Sequence, residues 1–207
     1  ADHVSHIGFG FMLAPNFHPA MRFVMPIRRS LGTPTVFNIL GPLSNPAGVK
    51  RQVIGVRDRA TARLMASALA GLGSERILMV TSSEGADELT LTGPNYIADF
   101  DSRSGDLREY TIDAPELGLT HSTLDAIKGG DAAANADITN RILVGEKGPM
   151  RDTVLLNAAA GLIAAGVVPD FHEGIVQAAR AIDSGSASHV VSRFVEVSKA
   201  APIGHTS

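Results

Sequence analysis

Residues Glu84-Gly85-Ala86-Asp87-Glu88 place three carboxylates on one short turn. They follow residues 76–81 (RILMVT), an apolar, β-branched run whose length predicts a strand. In parallel α/β sheets, ligands gather at the carboxyl ends of the strands. Adjacent carboxylates in that place suit Mg²⁺, which takes one or two of them and fills its shell with water and substrate phosphates. Asp87 and Glu88, being neighbours, could bracket a diphosphate-bound metal pair. Composition alone favours a plainer reading, a solvated acidic turn.

A second group is a stripe. His18, Met21, Met25 and Arg28 recur at steps of three, four and three, so a continuous helix would carry them on one face. Methionines make an adaptable apolar wall, and a guanidinium at its end can hold a planar carboxylate through two parallel hydrogen bonds. That wall would suit a small aromatic acid. An ordinary amphipathic helix with a surface arginine explains the spacing as well, and Pro26 inside it should kink it or cost a hydrogen bond.

Charge is unevenly spread. Arg22, Arg28, Arg29, Lys50, Arg51, Arg57, Arg59 and Arg63 face the lone acid Asp58 between residues 16 and 63. Between residues 84 and 116, acids outnumber Arg103 and Arg108. A basic stretch followed by an acidic one fits a polyanionic, Mg²⁺-dependent substrate, and solvated faces of opposite sign fit equally. Other motifs lead nowhere. Gly129-Gly130-Asp131 lacks both phosphate-loop patterns and reads as a helix start. The histidines never stand at metal-ligand spacing on one element, and no G-x-S-x-G elbow occurs. Chemistry without a covalent intermediate is the default.

The elements that must position these groups alternate between two periods. Residues 52–56 and 76–81 predict strands, with a helix over 60–72 between them. A strand, a helix and a strand in about thirty residues make a βαβ unit, hence a parallel pair with a right-handed crossover. Short alternating runs at 88–91, 95–98 and 107–112, separated by Gly93-Pro94 and Ser104-Gly105, predict a hairpin or meander on or beside that sheet. From Asp131 the pattern is helical: 132–144, 151–165, 171–182 and 187–199, with Gly145, Gly148-Pro149, Pro169 and Gly185 between. Earlier, spacing predicts a helix over 19–31, and residues 35–40 (TVFNIL) form a short apolar segment closed by Gly41-Pro42 and Asn45-Pro46.

Composition sets bounds. The 207 residues suffice for one sizeable domain, and 44% hydrophobic against 19% charged residues allows a real core. A formal charge of −3 argues against general affinity for nucleic acid or anionic membrane, and 5% aromatics argues against a base-stacking platform. No cysteine is present, which excludes disulfides, thiolate metal sites and a cysteine nucleophile and fits a reducing compartment. The first residues show no basic n-region of a signal peptide. Residues 153–168 (TVLLNAAAGLIAAGVV) are too short to span a bilayer and are interrupted by Asn157, so they predict a buried core helix.

Read together, residues 4–25 (VSHIGFGFMLAPNFHPAMRFVM), 26–46 (PIRRSLGTPTVFNILGPLSNP), 85–94 (GADELTLTGP), 129–136 (GGDAAANA) and 152–166 (DTVLLNAAAGLIAAG) closely resemble bacterial anthranilate phosphoribosyltransferase. The resemblance runs from about residue 4 to the end of the chain. It implies an α/β fold: a parallel-sheet large domain of the nucleoside phosphorylase/phosphoribosyltransferase type, with remnants of a small helical domain. Residues 16–46 would be helices of the small domain, and residues 1–15 with 47–207 an incomplete phosphoribosyltransferase domain. It also implies a pentosyltransferase of tryptophan biosynthesis, in which the amine of anthranilate displaces pyrophosphate from phosphoribosyl pyrophosphate through an oxocarbenium-like transition state, aided by Mg²⁺. By the same resemblance, Arg28 binds the anthranilate carboxylate and Asp87 and Glu88 are the metal ligands, while His18 and Gly41-Pro42 line the anthranilate route. A cytoplasmic homodimer is implied too.

The family pattern contains a Gly-Thr-Gly-Gly-Asp loop, an Asn-x-Ser-Thr motif and a Lys-His-Gly-Asn loop, none of which occurs here. The expectation is a C-terminal portion that lacks most of the phosphoribosyl pyrophosphate site, has an exposed sheet edge and is inactive by itself. Three alternatives stand beside it. A pyrimidine nucleoside phosphorylase of the same superfamily is disfavoured by the F-N-I-L-G-P-L run. A nucleic-acid-binding relative without activity is disfavoured by the charge of −3 and the Asp87-Glu88 pair. A non-catalytic structural or regulatory piece is the third.

Overall fold

The computed structural model describes residues 2–12, 37–45 and 47–200. The predicted helix over 19–31, with His18, Arg28 and the rest of the stripe, lies outside them. The described chain forms strands β1 (Arg51–Gly55), β2 (Arg76–Ser82), β3 (Asn95–Asp101) and β4 (Asp106–Ile112). Its helices are α1 (Asp2–Ile7), α2 (Phe37–Leu43), α3 (Arg59–Gly71), α4 (Ala132–Leu143), α5 (Pro149–Ala165), α6 (Phe171–Asp183) and α7 (Ser186–Ala200).

The strands lie in the order β1-β2-β3-β4. β1 and β2 are parallel, with Ile54 opposite Met79, as the βαβ reading requires. β3 and β4 continue the sheet antiparallel, Ile97 facing Val80 on one side and Tyr110 on the other. The sheet is therefore mixed, its hairpin joined edge to edge with the parallel pair. Among the described residues β1 pairs with β2 alone, which leaves its other edge open.

Alternation divides the sheet's side chains into two cores. Ile54, Ile77, Met79, Tyr96 and Ala98 meet Ala62, Met65 and Leu69 of α3 on one face. Leu78, Val80 and Ile97 meet Leu156, Ala159, Ala160 and Ile163 of α5 on the other, with α6 behind it. Helix α5 is apolar on most sides because it is sandwiched between the sheet and α6. Pro149 opens it and Gly166, at φ +74°, ends it in the left-handed conformation that glycine adopts without strain. Gly174 of α6 rests on Ala159, where a Cβ would come within 2.7 Å of the alanine methyl. The long apolar run is thus a core helix, and no helix among the described residues is long and apolar enough to cross a membrane.

Two expectations need correction. Residues 88–91 are not a strand; the backbone groups of Leu89 and Thr90 bond to side chains, as described below, and the Leu91 carbonyl accepts from the Ser122 amide. Gly41-Pro42 does not close the segment before it, because α2 runs through both residues. Pro42 deprives a seven-residue helix of one hydrogen bond, and the chain turns off at Ser44, whose amide and hydroxyl both donate to the Leu40 carbonyl. Gly129-Gly130-Asp131 is a helix start, with Asp131 capping α4 by accepting from the Ala134 amide.

Candidate functional site

The acidic turn leaves β2 at Ser82 and crosses the carboxyl end of β1. Its first half is a local knot. The Gly85 amide donates to the Ser82 carbonyl, and Gly85 takes φ +77°. The Ala86 amide donates to the Ser82 hydroxyl at 3.0 Å, while the Ser82 amide and the Thr81 hydroxyl both donate to the Ala86 carbonyl. Residue 86 is therefore fixed at both of its backbone groups.

The second half is held from a distance. The Asn157 carboxamide, projecting from α5, accepts from the Leu89 amide at 3.1 Å and donates to the Leu89 carbonyl at 2.8 Å. Asn95, fully buried at the start of β3, does the same for Thr90, accepting from its amide and donating to its carbonyl. Leu89 and Leu91 sink into the core below. Two asparagines thus substitute for a strand ladder, which is why this apolar segment is buried without being a strand.

Asp87 and Glu88 lie between these anchors and are exposed. Neither carboxylate has a hydrogen bond or ion pair among the described residues. The Asp87 backbone lies so close to β1 that a Cβ on Gly55 would collide with the Asp87 carbonyl. Gly55 has no positive φ, so its requirement here is space. Two free, adjacent carboxylates on a fixed backbone at strand ends fit Mg²⁺, an ion that needs few protein ligands and retains water. No cluster of three or more metal-binding side chains occurs among the described residues.

Glu84 belongs to the other side of the turn. Partial burial opposes its ionisation, but hydrogen bonds from Thr92 and Ser83 outweigh that and hold its carboxyl below the usual range. It lines a cavity of about 460 Å³ with Arg57, Arg59, Ser83 and Tyr96. Arg59 stacks over the Tyr96 ring at 4.9 Å. Asp87 and Glu88 do not line this cavity. Arg57 and Arg59 entered the sequence reading only as part of a basic stretch; their place beside the acidic turn follows from the β1–α3 connection. Asn157 and Gly55 were missed as site-builders, the first read merely as a polar break in an apolar run. A larger cavity of about 780 Å³ lies elsewhere, lined by Arg76, Asp99, Arg108, Tyr110, Phe171 and His172, away from the turn.

Comparison with known proteins agrees with this architecture. Residues 1–188 match the family model described as "Glycosyl transferase family, a/b domain". Over 198 residues the chain is 49% identical to an anthranilate phosphoribosyltransferase of Rhodopseudomonas palustris (strain HaA2), covering 96% of this chain and 58% of that protein. The crystal structure of anthranilate phosphoribosyltransferase from Thermus thermophilus superposes with a TM-score of 0.84 at 42% identity, over 94% of this chain and 57% of the other. The Saccharomyces cerevisiae enzyme in complex with PRPP and Mg superposes with a TM-score of 0.83 at 31% identity, over 93% and 55%. The chain therefore spans a little over half the length of these relatives. On a match that takes in nearly the whole described fold, the chain belongs to the glycosyl transferase family, whose a/b domain it carries.

Proposed function

We propose that this chain is the a/b part of an anthranilate phosphoribosyltransferase, with Asp87 and Glu88 as its Mg²⁺ ligands. The observation that carries the reading is the pair of carboxylates, unpartnered among the described residues, held over the carboxyl ends of β1 and β2. In the reaction, the anthranilate amine nitrogen bonds to C1′ of phosphoribosyl pyrophosphate. The C1′–O bond breaks, its electron pair leaves with pyrophosphate, and the nitrogen gives up a proton. Bound Mg²⁺ would neutralise the departing diphosphate. Arg57 and Arg59 add positive potential beside the turn, suited to a polyanion. Arg28, outside the described residues, would grip the anthranilate carboxylate. The cytoplasmic homodimer, acting on small molecules without nucleic acid or membrane, belongs to the same reading and rests on the resemblance.

The test is Mn²⁺ binding, followed by electron paramagnetic resonance in the presence of inorganic pyrophosphate. Wild-type chain is expected to bind, and the double variant D87N/E88Q to bind at least tenfold more weakly. Equal affinity of the two proteins would overturn the assignment.

A further inference from the structure

We propose that Asn157 is a positioning residue for the Asp87-Glu88 pair, a role that rests on the metal-ligand reading above. The half-buried carboxamide uses three of its four hydrogen-bonding directions: Oδ1 accepts from the Leu89 amide, and Nδ2 donates to the carbonyls of Leu89 and of Thr153, the latter at 2.9 Å. That pattern of one donor and two carbonyl partners fixes the orientation of the amide. It also makes a single side chain stand in for a neighbouring strand at Leu89.

The location is what gives this clamp a function. Ala86 is fixed by Ser82 and Thr81, and Leu89 by Asn157, so the two tethers bracket the two carboxylate residues with no other residue between. A span of two residues with both ends bonded has few backbone states. Its side chains then project from a preset base, so little ordering remains to be done when a cation arrives. Asn157 itself does not extend the carboxylate set; it acts through the Leu89 backbone. Because it projects from α5, the same helix that fills the core under the sheet, the height of the turn is referenced to the rigid part of the fold. An asparagine amid Leu155, Leu156, Ala158 and Ala159 costs helix propensity and apolar burial, and the clamp accounts for its presence.

The experiment compares N157A with L156A, which removes a fully buried side chain one residue away and leaves the clamp intact. Mn²⁺ affinity with inorganic pyrophosphate and native-state hydrogen exchange at the Leu89 amide are measured on the whole chain. N157A is expected to bind Mn²⁺ at least tenfold more weakly and to exchange the Leu89 amide at least tenfold faster. L156A is expected to stay within twofold of wild type in metal affinity, though it loses more stability. If N157A does not fold, N157S, which retains a hydroxyl but cannot span to Leu89, carries the same expectations. The proposal is overturned if the Asn157 variant binds Mn²⁺ within twofold of wild type while D87N/E88Q loses binding, or if L156A weakens binding as much. Should D87N/E88Q itself retain full affinity, the metal reading falls, and with it the role assigned to the clamp.

Discussion

The two ends of the sheet treat their carboxylates in opposite ways. At the amino end of β2, Arg76 reaches both Asp99, at 2.9 Å, and Asp101; Arg103 caps Asp101 and Arg108 reaches Asp99. Both of these acids have arginine partners. At the carboxyl end, Asp87 and Glu88 have none among the described residues, although Arg57 sits on the β1–α3 connection and Arg59 opens α3 beside them. What is held at the carboxyl end is backbone: serine and threonine hydroxyls, two asparagines and a glycine fix the main chain and leave the charges alone. Charges neutralised by their own chain serve the fold, whereas charges left free on a fixed backbone are available to a ligand.

The strongest way to break that contrast is Gly55. Its missing Cβ makes room for the Asp87 carbonyl, and the obstruction is main chain, which cannot swing aside as a flexible side chain would. Gly55→Ala is therefore expected to cost more than about 3 kcal/mol in urea denaturation, the upper range for forced overpacking. It should also weaken Mn²⁺ binding, since the turn must lift. A cost below about 0.5 kcal/mol, the range of an ordinary surface change, would mean that the turn is not seated on β1.

At the other end the sharpest test is Arg76→Met. Asp99 is only 2% exposed, and burial raises its carboxyl pKa despite the pull of Arg76 and Arg108. Removing Arg76 leaves that charge without its main partner, at a cost of about 3 kcal/mol near pH 7. The sign of the pH effect follows. A carboxyl with a raised folded-state pKa contributes stability below its unfolded value, about 3.9, and loses it as pH rises through the folded value. Without Arg76 the Asp99 value climbs further, so the variant should be markedly less destabilised at pH 4 than at pH 7. Asp101 behaves oppositely: Arg103 above all, then Arg76, holds it well below the usual range, so its contribution is present above the unfolded value and lost as pH falls. Adding D99N to R76M should recover most of the stability at pH 7. Equal cost at both pH values, with no recovery, would show that the network is not what satisfies Asp99.

The sequence exposes these two ends unequally. The acidic turn is legible because its residues are contiguous and follow a strand, and the helices of the second half are legible because the helix start at Asp131 and breakers such as Gly148-Pro149 and Gly185 act locally. The direction of β3 and β4 follows from the short connection at Ser104-Gly105. What anchors the turn is not legible. Asn157 and Leu89 are 68 positions apart, and nothing in an apolar helical run says that one polar residue answers an unpaired amide elsewhere. Residues 88–91 have the composition of a strand because Leu89, Thr90 and Leu91 are buried, and burial is what composition reports; the missing ladder is visible only once Asn95 and Asn157 are in place. In the same way Gly55 inside β1 looks like a weakness of the strand until the Asp87 carbonyl is found above it.

The smallest expected effect is the most discriminating. D87N/E88Q removes two charges that make no bond with the described chain, so without metal its unfolding free energy should lie within about 0.5 kcal/mol of wild type. With Mn²⁺ and pyrophosphate the two proteins should part: a ligand that binds only the folded state raises stability by RT ln(1 + [L]/Kd), about 2.7 kcal/mol at a hundredfold excess over Kd, and a variant that binds at least tenfold more weakly should gain no more than about 1.4 kcal/mol. The measurement is paired urea titrations with and without the ion. A large loss in the metal-free titration would mean that Asp87 and Glu88 are structural after all, like Asp99 and Asp101, and the difference between the two ends of the sheet would disappear. Near-identity without metal and separation with it would make that difference functional, because only one end would then gain stability from something outside the chain.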